Sequence, residues 1–195
     1  FEGFDSNLRR KIRKCGSNGI TFIHGGPDLL QDFYRVYSHR MHQLGSPVLP
    51  QQWYSNLLQL YSGGETSIWC AYLGNKPVGG AFILEYQGFY EACWFATLKQ
   101  YNRLYISYGL IWEMIRSAIG NSGKTFSLGR STEGSSVHQY KQQWGGEDIP
   151  LYWNHSHAPG TSIRSLTFIS KLWKFIPYSI VTKIGPWFAA KAIKG

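Results

Sequence analysis

The stretch Thr66–Thr97, TSIWCAYLGNKPVGGAFILEYQGFYEACWFAT, decides the fold class. It contains three apolar runs rich in β-branched and aromatic residues: Thr66–Leu73, Pro77–Tyr86 and Phe89–Thr97. Only a few turn-forming residues separate them. Asn75-Lys76 is read as the first turn and Gln87-Gly88 as the second. Links this short cannot carry a crossover, so the three runs form an antiparallel meander.

Helical patterns flank the meander. Ser6–Cys15 carries a helix-starting Asp5 or Ser6 and stops at Gly16 and Gly19. Ile20–Ile23 is a short strand. Pro27-Asp28 opens a helix to about Leu44, with Leu29, Leu30, Phe33, Val36, Tyr37 and Met41 on one face. Pro50 opens another to about Tyr61. Tyr105–Ile119 follows the meander, then strand Thr125–Leu128, helix Ser136–Trp144 and strand Ile149–Trp153. The order predicts an α/β domain with a mixed, largely antiparallel sheet flanked by helices. A helical tail is expected beyond it: Ser162–Phe175, a second helix from Pro177 to about Ile184, and a last turn after a break at Gly185-Pro186. The expected division is a basic lead helix (1–19), the main domain (20–160) and a basic aromatic tail (161–195).

The chain has 195 residues, 8 Trp, 13 Tyr and 11 Phe, and a net charge of +9. The charge is uneven. Residues 1–14 sum to +3, residues 164–195 to +6, and the middle to zero. Cationic ends on a neutral body suit a polyanionic neighbour: RNA, acidic lipid or a phosphate-bearing substrate. No run reaches the roughly 18 apolar residues of a membrane span. Cys15, Cys70 and Cys93 lack metal-ligand spacing and read as buried thiols of a reducing, cytoplasmic compartment. No compact Asp/Glu/His cluster suggests a metal, and Gly134-Ser135-Ser136 is a poor nucleophile elbow. Because the chain starts at Phe1, a missing N-terminal part is expected.

Lys124–Gly146, KTFSLGRSTEGSSVHQYKQQWGG, carries the candidate chemistry. A strand running into Gly129-Arg130-Ser131-Thr132 delivers a cation and hydroxyl donors to a sheet edge. The next helix can aim Lys141 at the same place, with Tyr140 and Trp144 around it. Two cations and several donors suit an anionic substrate or a developing oxyanion. The alternatives are an arginine paired with Glu133 or Glu113, and a solvated lysine. His138 precedes Lys141 by three residues, either as a base or as a surface histidine. Trp94, Tyr101, Asn102 and Tyr108 are read either as core or as a pocket wall for a polar ligand.

Several segments together resemble one family. Asn7–Gly19, Phe33–Pro50, Trp94–Trp112 and FSLGRSTEGSSVHQYKQQWGG followed by Pro150-Leu151-Tyr152-Trp153 are similar to FemAB-like aminoacyl/acyltransferases, in the exosortase and PEP-CTERM branch. The resemblance implies a GNAT-like fold and corresponds to the second of two such halves. It implies transfer of an acyl or aminoacyl group to an amine of a cell-envelope precursor, peptidoglycan or exopolysaccharide related. The donor would be aminoacyl-tRNA or acyl-CoA, with no bound cofactor. It also implies Lys141, in Tyr140-Lys141, as the residue for acyl transfer, with Arg130 on a phosphate or carboxylate. Ser127 stands where the family often has an acid, so the base is unassigned. A second reading is a non-catalytic half-domain, or a binding module on RNA or at an anionic inner-membrane face.

Overall fold

The computed structural model describes residues 1–152 and 171–194, without the side chains of 190–194. Helix α1 (Ser6–Ser17) starts where the Asp5 carboxylate accepts the Asn7 N–H at 2.8 Å. Leu8, Ile12 and Cys15 recur at helical spacing and are buried, while Arg10, Arg13 and Lys14 stay exposed. Strand β1 (Ile20–Gly25) leads through a 3-10 turn at Pro27–Leu29 into α2 (Leu30–Leu44), and α3 spans Gln51–Leu60. The meander is β2 (Glu65–Leu73), β3 (Lys76–Tyr86) and β4 (Phe89–Thr97). A second 3-10 turn, Lys99–Leu104, precedes α4 (Ile106–Gly120). Then come β5 (Thr125–Ser127), α5 (Ser136–Gln142) and α6 (Tyr178–Lys194).

The five strands lie in chain order. Every pair is antiparallel except β4–β5, which is parallel. The expected fold class is therefore the observed one: a mixed, mostly antiparallel open sheet, helices on both faces and a C-terminal helix.

Helices α2 and α3 cover one face, where Phe33 and Tyr54 meet Ile68, Cys70, Phe82 and Trp94. Helices α1, α4 and α5 cover the other, where Leu8, Leu110, Met114 and Trp144 meet Ala81 and Ile83. Gly79 and Gly80 let both layers close on β3. A Cβ at Gly79 would sit 2.9 Å from Ile106, and one at Gly80 would sit 3.2 Å from Phe33. Gly109 plays the same part in α4: a Cβ there would fall 2.5 Å from Cys15 Sγ and 2.6 Å from the Phe22 ring. The lead helix is thereby seated on α4 in the same core as the sheet.

Four expectations need correction. The first hairpin turn is Gly74-Asn75, because Lys76 already pairs with Leu73. Gly74 takes the left-handed φ of 58° that a tight hairpin needs. The stretch 149–152 is irregular and exposed, not strand. Helix α6 runs through Gly185-Pro186, because a proline deletes one N–H donor without ending a helix that packing holds. Strand β5 ends at Ser127 and α5 at Gln142, both shorter than the pattern suggests. The tail expected at 162–170 lies outside the described residues.

Candidate active site

The parallel pair β4–β5 is short. Phe89, Tyr90 and Glu91 pair with Thr125, Phe126 and Ser127, and there β5 ends while β4 continues to Thr97. Next to the divergence a β-bulge sits in β4: Phe82 faces Trp94, Ile83 faces Ala92, and Cys93 is the extra residue. Among the described residues, the Ala92–Thr97 edge has no strand partner on that side. The sheet thus opens beside β4 and exposes backbone donors and acceptors to whatever enters.

A cavity of about 310 Å³ lies at the end of this opening. It is lined by Arg40 of α2, Thr97 of β4, Asn102, the first residues of α4 (Ile106, Ser107, Tyr108) and Tyr140 of α5. Helix α4 is launched by Tyr105, a non-glycine residue with φ 58°, so its amino end is aimed from a strained start. That amino end carries the positive pole of the helix dipole.

Tyr140 is the most unusual of these residues. Its hydroxyl is buried beside the Ser107 side chain and the Trp144 indole, in reach of both but in good hydrogen-bond geometry with neither. Burial pushes its ionisation well above the ordinary phenol value; Ser107 and Trp144 oppose the shift and Tyr108 adds to it, and the proton stays on. The ring stands against Tyr108 at 5.0 Å, and Tyr108 in turn stacks on Trp144 at 6.3 Å. The Tyr108 hydroxyl accepts from Lys11 Nζ at 3.1 Å and donates to Gln143 Oε1 at 3.2 Å, so α1 also holds this wall.

Lys141 points the other way along α5. Its ammonium donates to the carbonyls of Gly129 at 2.7 Å and Arg130 at 2.8 Å. Two of its three protons thus tie α5 to the strand exit. Burial lowers the lysine's proton affinity, and the carboxylate of Glu91 opposes that shift. Glu91 lies close by: a Cβ on Gly129 would be 3.7 Å from its Oε1. His138 is also occupied. Gly134 N–H donates to Nδ1 at 3.1 Å, which leaves the proton on Nε2, and Nε2 donates to Asp148 Oδ2 at 2.9 Å. This bond, with a second from Gln142, holds the exposed Asp148 carboxyl below its usual range. The histidine braces the 134–148 loop.

The structure therefore regroups the residues singled out in the sequence. Asn102, Tyr108 and Tyr140 meet at the cavity, with Trp144 behind them. Trp94 does not join them: it packs on the opposite face against Trp53, Tyr54 and Phe82. Tyr101 packs on Val36, Ala96 and Leu98. Arg130, Ser131 and Thr132 are exposed on the loop that Lys141 pins. Arg40, Thr97, Ser107 and Glu91 were missed, since an arginine in a mid-helix run and a carboxylate in a strand carry no local signal. Among the described residues, no group of three His, Cys, Asp or Glu side chains could hold a metal ion.

The sheet thus opens between two parallel strands, with a helix amino end and a protonated hydroxyl at the opening. Residues 3–142 match the model of the acetyltransferase (GNAT) domain, and the chain belongs to that family. Its membership indicates an acyltransferase. No curated protein sequence matches it. Among solved structures it is similar to FemX, with a TM-score of 0.65 at 11% identity, over 74% of this chain and 54% of that one. It is also similar to the aminoglycoside acetyltransferase meta-AAC0020 from an uncultured soil metagenomic sample, in complex with sisomicin. That match has a TM-score of 0.54 at 14% identity, over 73% and 99% of the two chains. A third similar structure is AAC(6')-Iy in complex with a bisubstrate analogue joining CoA to an acetylneamine, with TM-score 0.56, 11% identity, and 71% and 99% covered. Identities this low speak for the fold alone.

Proposed function

We propose that this chain transfers an acyl group from an activated donor to a primary amine of a cell-envelope precursor, with the reacting carbonyl beside Tyr140. The observation that carries the reading is the buried, protonated Tyr140 hydroxyl, poorly satisfied by Ser107 and Trp144, in the lining of the cavity at the sheet opening. A buried donor in poor hydrogen-bond geometry is costly, and an incoming carbonyl oxygen would give it a well-placed acceptor. The same donor becomes more valuable as the carbonyl turns into an oxyanion.

The unpaired Ala92–Thr97 edge suits an extended, amide-bearing donor arm laid down as an extra strand. Arg40, Asn102 and the amino end of α4 suit the anionic part of that donor. These features favour an acyl-CoA thioester. The amine attacks the thioester carbonyl, the C–S bond breaks, the thiol leaves with a proton, and an amide forms. The amine's proton is the one the departing thiol carries away, so the step balances without a resident base, and Glu91 stands outside the cavity beside the Lys141 ammonium. The cell-envelope acceptor is supported by the resemblance of the sequence to FemAB-like enzymes. Lys141 and Arg130 serve this scheme through the loop, which Lys141 holds in place.

The test is turnover with acetyl-CoA and aminoacyl-tRNA supplied in parallel to an amine-bearing precursor, for the wild type and Tyr140→Phe. Removing one oxyanion donor should lower kcat by about 100-fold. Undiminished turnover in Tyr140→Phe would remove the hydroxyl from the mechanism, and turnover with aminoacyl-tRNA alone would overturn the donor assignment.

A further inference from the structure

Helix α6 and the turn before it have two faces of different character. The inner face is a seam of Val181, Gly185 and Ala189, all buried at helical spacing, with Trp173 beside it. Gly185 makes this seam close: a Cβ there would be 3.6 Å from both Trp173 and the Val48 backbone. Two polar contacts fix the segment on α2. The Tyr178 hydroxyl lies 2.7 Å from Ser38 Oγ, and His42 Nε2 donates to the Ile176 carbonyl at 2.9 Å.

The outer face carries apolar side chains that a water-exposed helix does not need. Phe175 is 85% exposed, Trp187 56%, Leu172 49%, Ile180 47% and Phe188 44%. Lys171, Lys174 and Lys183 are exposed among them. No acidic residue follows Asp148 in the sequence. Large apolar side chains interleaved with cations, on a segment pinned to the body, are what an interfacial anchor requires.

We propose that this face docks on an anionic membrane surface, with Phe175, Ile180 and Trp187 entering the headgroup–acyl boundary and the three lysines at the phosphates. Charge complementarity selects lipid of negative charge. The aliphatic Leu172 and Ile180 select a lipid surface over RNA, whose bases are gripped by aromatic stacking and denser positive charge. The inference does not depend on the transfer reaction.

The experiment is vesicle flotation of the full chain on phosphatidylcholine alone and with roughly 30% phosphatidylglycerol, where each surface lysine is worth about fivefold in partitioning. Binding should require the anionic lipid. Lys174→Gln with Lys183→Gln should weaken it roughly 25-fold. Phe175→Ser with Trp187→Ser should abolish it without changing turnover on a soluble amine, because both side chains are more than half exposed and neither lines the cavity. Equal binding to neutral vesicles, or no binding to either, would overturn the proposal. So would loss, in the Phe175/Trp187 variant, of RNA binding or self-association in place of lipid binding.

Discussion

Replacing Lys141 with methionine keeps the apolar stem and removes the ammonium that bridges α5 to the Gly129-Arg130 exit. Each of its two bonds is charge-assisted, at 2.7 and 2.8 Å. Bonds of this kind contribute about 1.5–3 kcal/mol when buried. The site is only half-buried, so water can replace part of what is lost, and the lysine itself is partly desolvated in the fold. The net loss should be about 2 kcal/mol, which in a chain of this size lowers Tm by roughly 4–8 °C. Thermal unfolding gives the first reading, and limited proteolysis of the 129–135 loop the second. Lys141→Arg should recover part of the stability but not the loop geometry, because the longer planar fork cannot place two donors on adjacent carbonyls in the same way. A Tm within about 1 °C of wild type, with an unchanged cleavage pattern, would refute the reasoning.

Two further predictions concern the core. Gly109→Ala should destabilise by about 1–3 kcal/mol by forcing a methyl onto Cys15 and Phe22, and Cys15→Ala in the same chain should recover part of the loss in urea unfolding. Alkaline pH should unfold the protein through its buried phenols. Burial raises Tyr37 to about 12, and raises Tyr54, Tyr72 and Tyr140 above the ordinary value of 10.0. Groups with a raised native pKa contribute stability that is complete below pH 10 and is lost as pH climbs toward their native values. Stability from chemical denaturation should therefore fall steeply above pH 10, and less steeply in Tyr140→Phe.

The meander and the helices around it were legible because their signals are local. The Gln87-Gly88 turn, the proline that opens α3 and the apolar face of α2 each declare themselves within a few residues. The parallel β4–β5 pair was not legible, because three residues at Thr125–Ser127 have no period to read. Trp94 was misplaced beside Tyr108 because alternation says that two faces differ, not which helices cover each. The bulge at Cys93 also shifts the alternation within β4. Tyr140 was selected as a neighbour of Lys141. The burial and poor hydrogen-bond geometry of its hydroxyl are properties of the packed cavity and have no counterpart in the sequence. Arg40 and Tyr140 are a hundred positions apart and meet only because α2 and α5 flank the same opening.

The central claim is that the opening between β4 and β5 is where the acyl donor lies. Amide hydrogen exchange with and without a non-hydrolysable acyl-CoA analogue tests it most directly. Slowed exchange is expected at amides within Ala92–Thr97 and at the start of α4, with β1 and α3 unchanged. Protection that leaves Ala92–Thr97 untouched while the analogue is bound would contradict it.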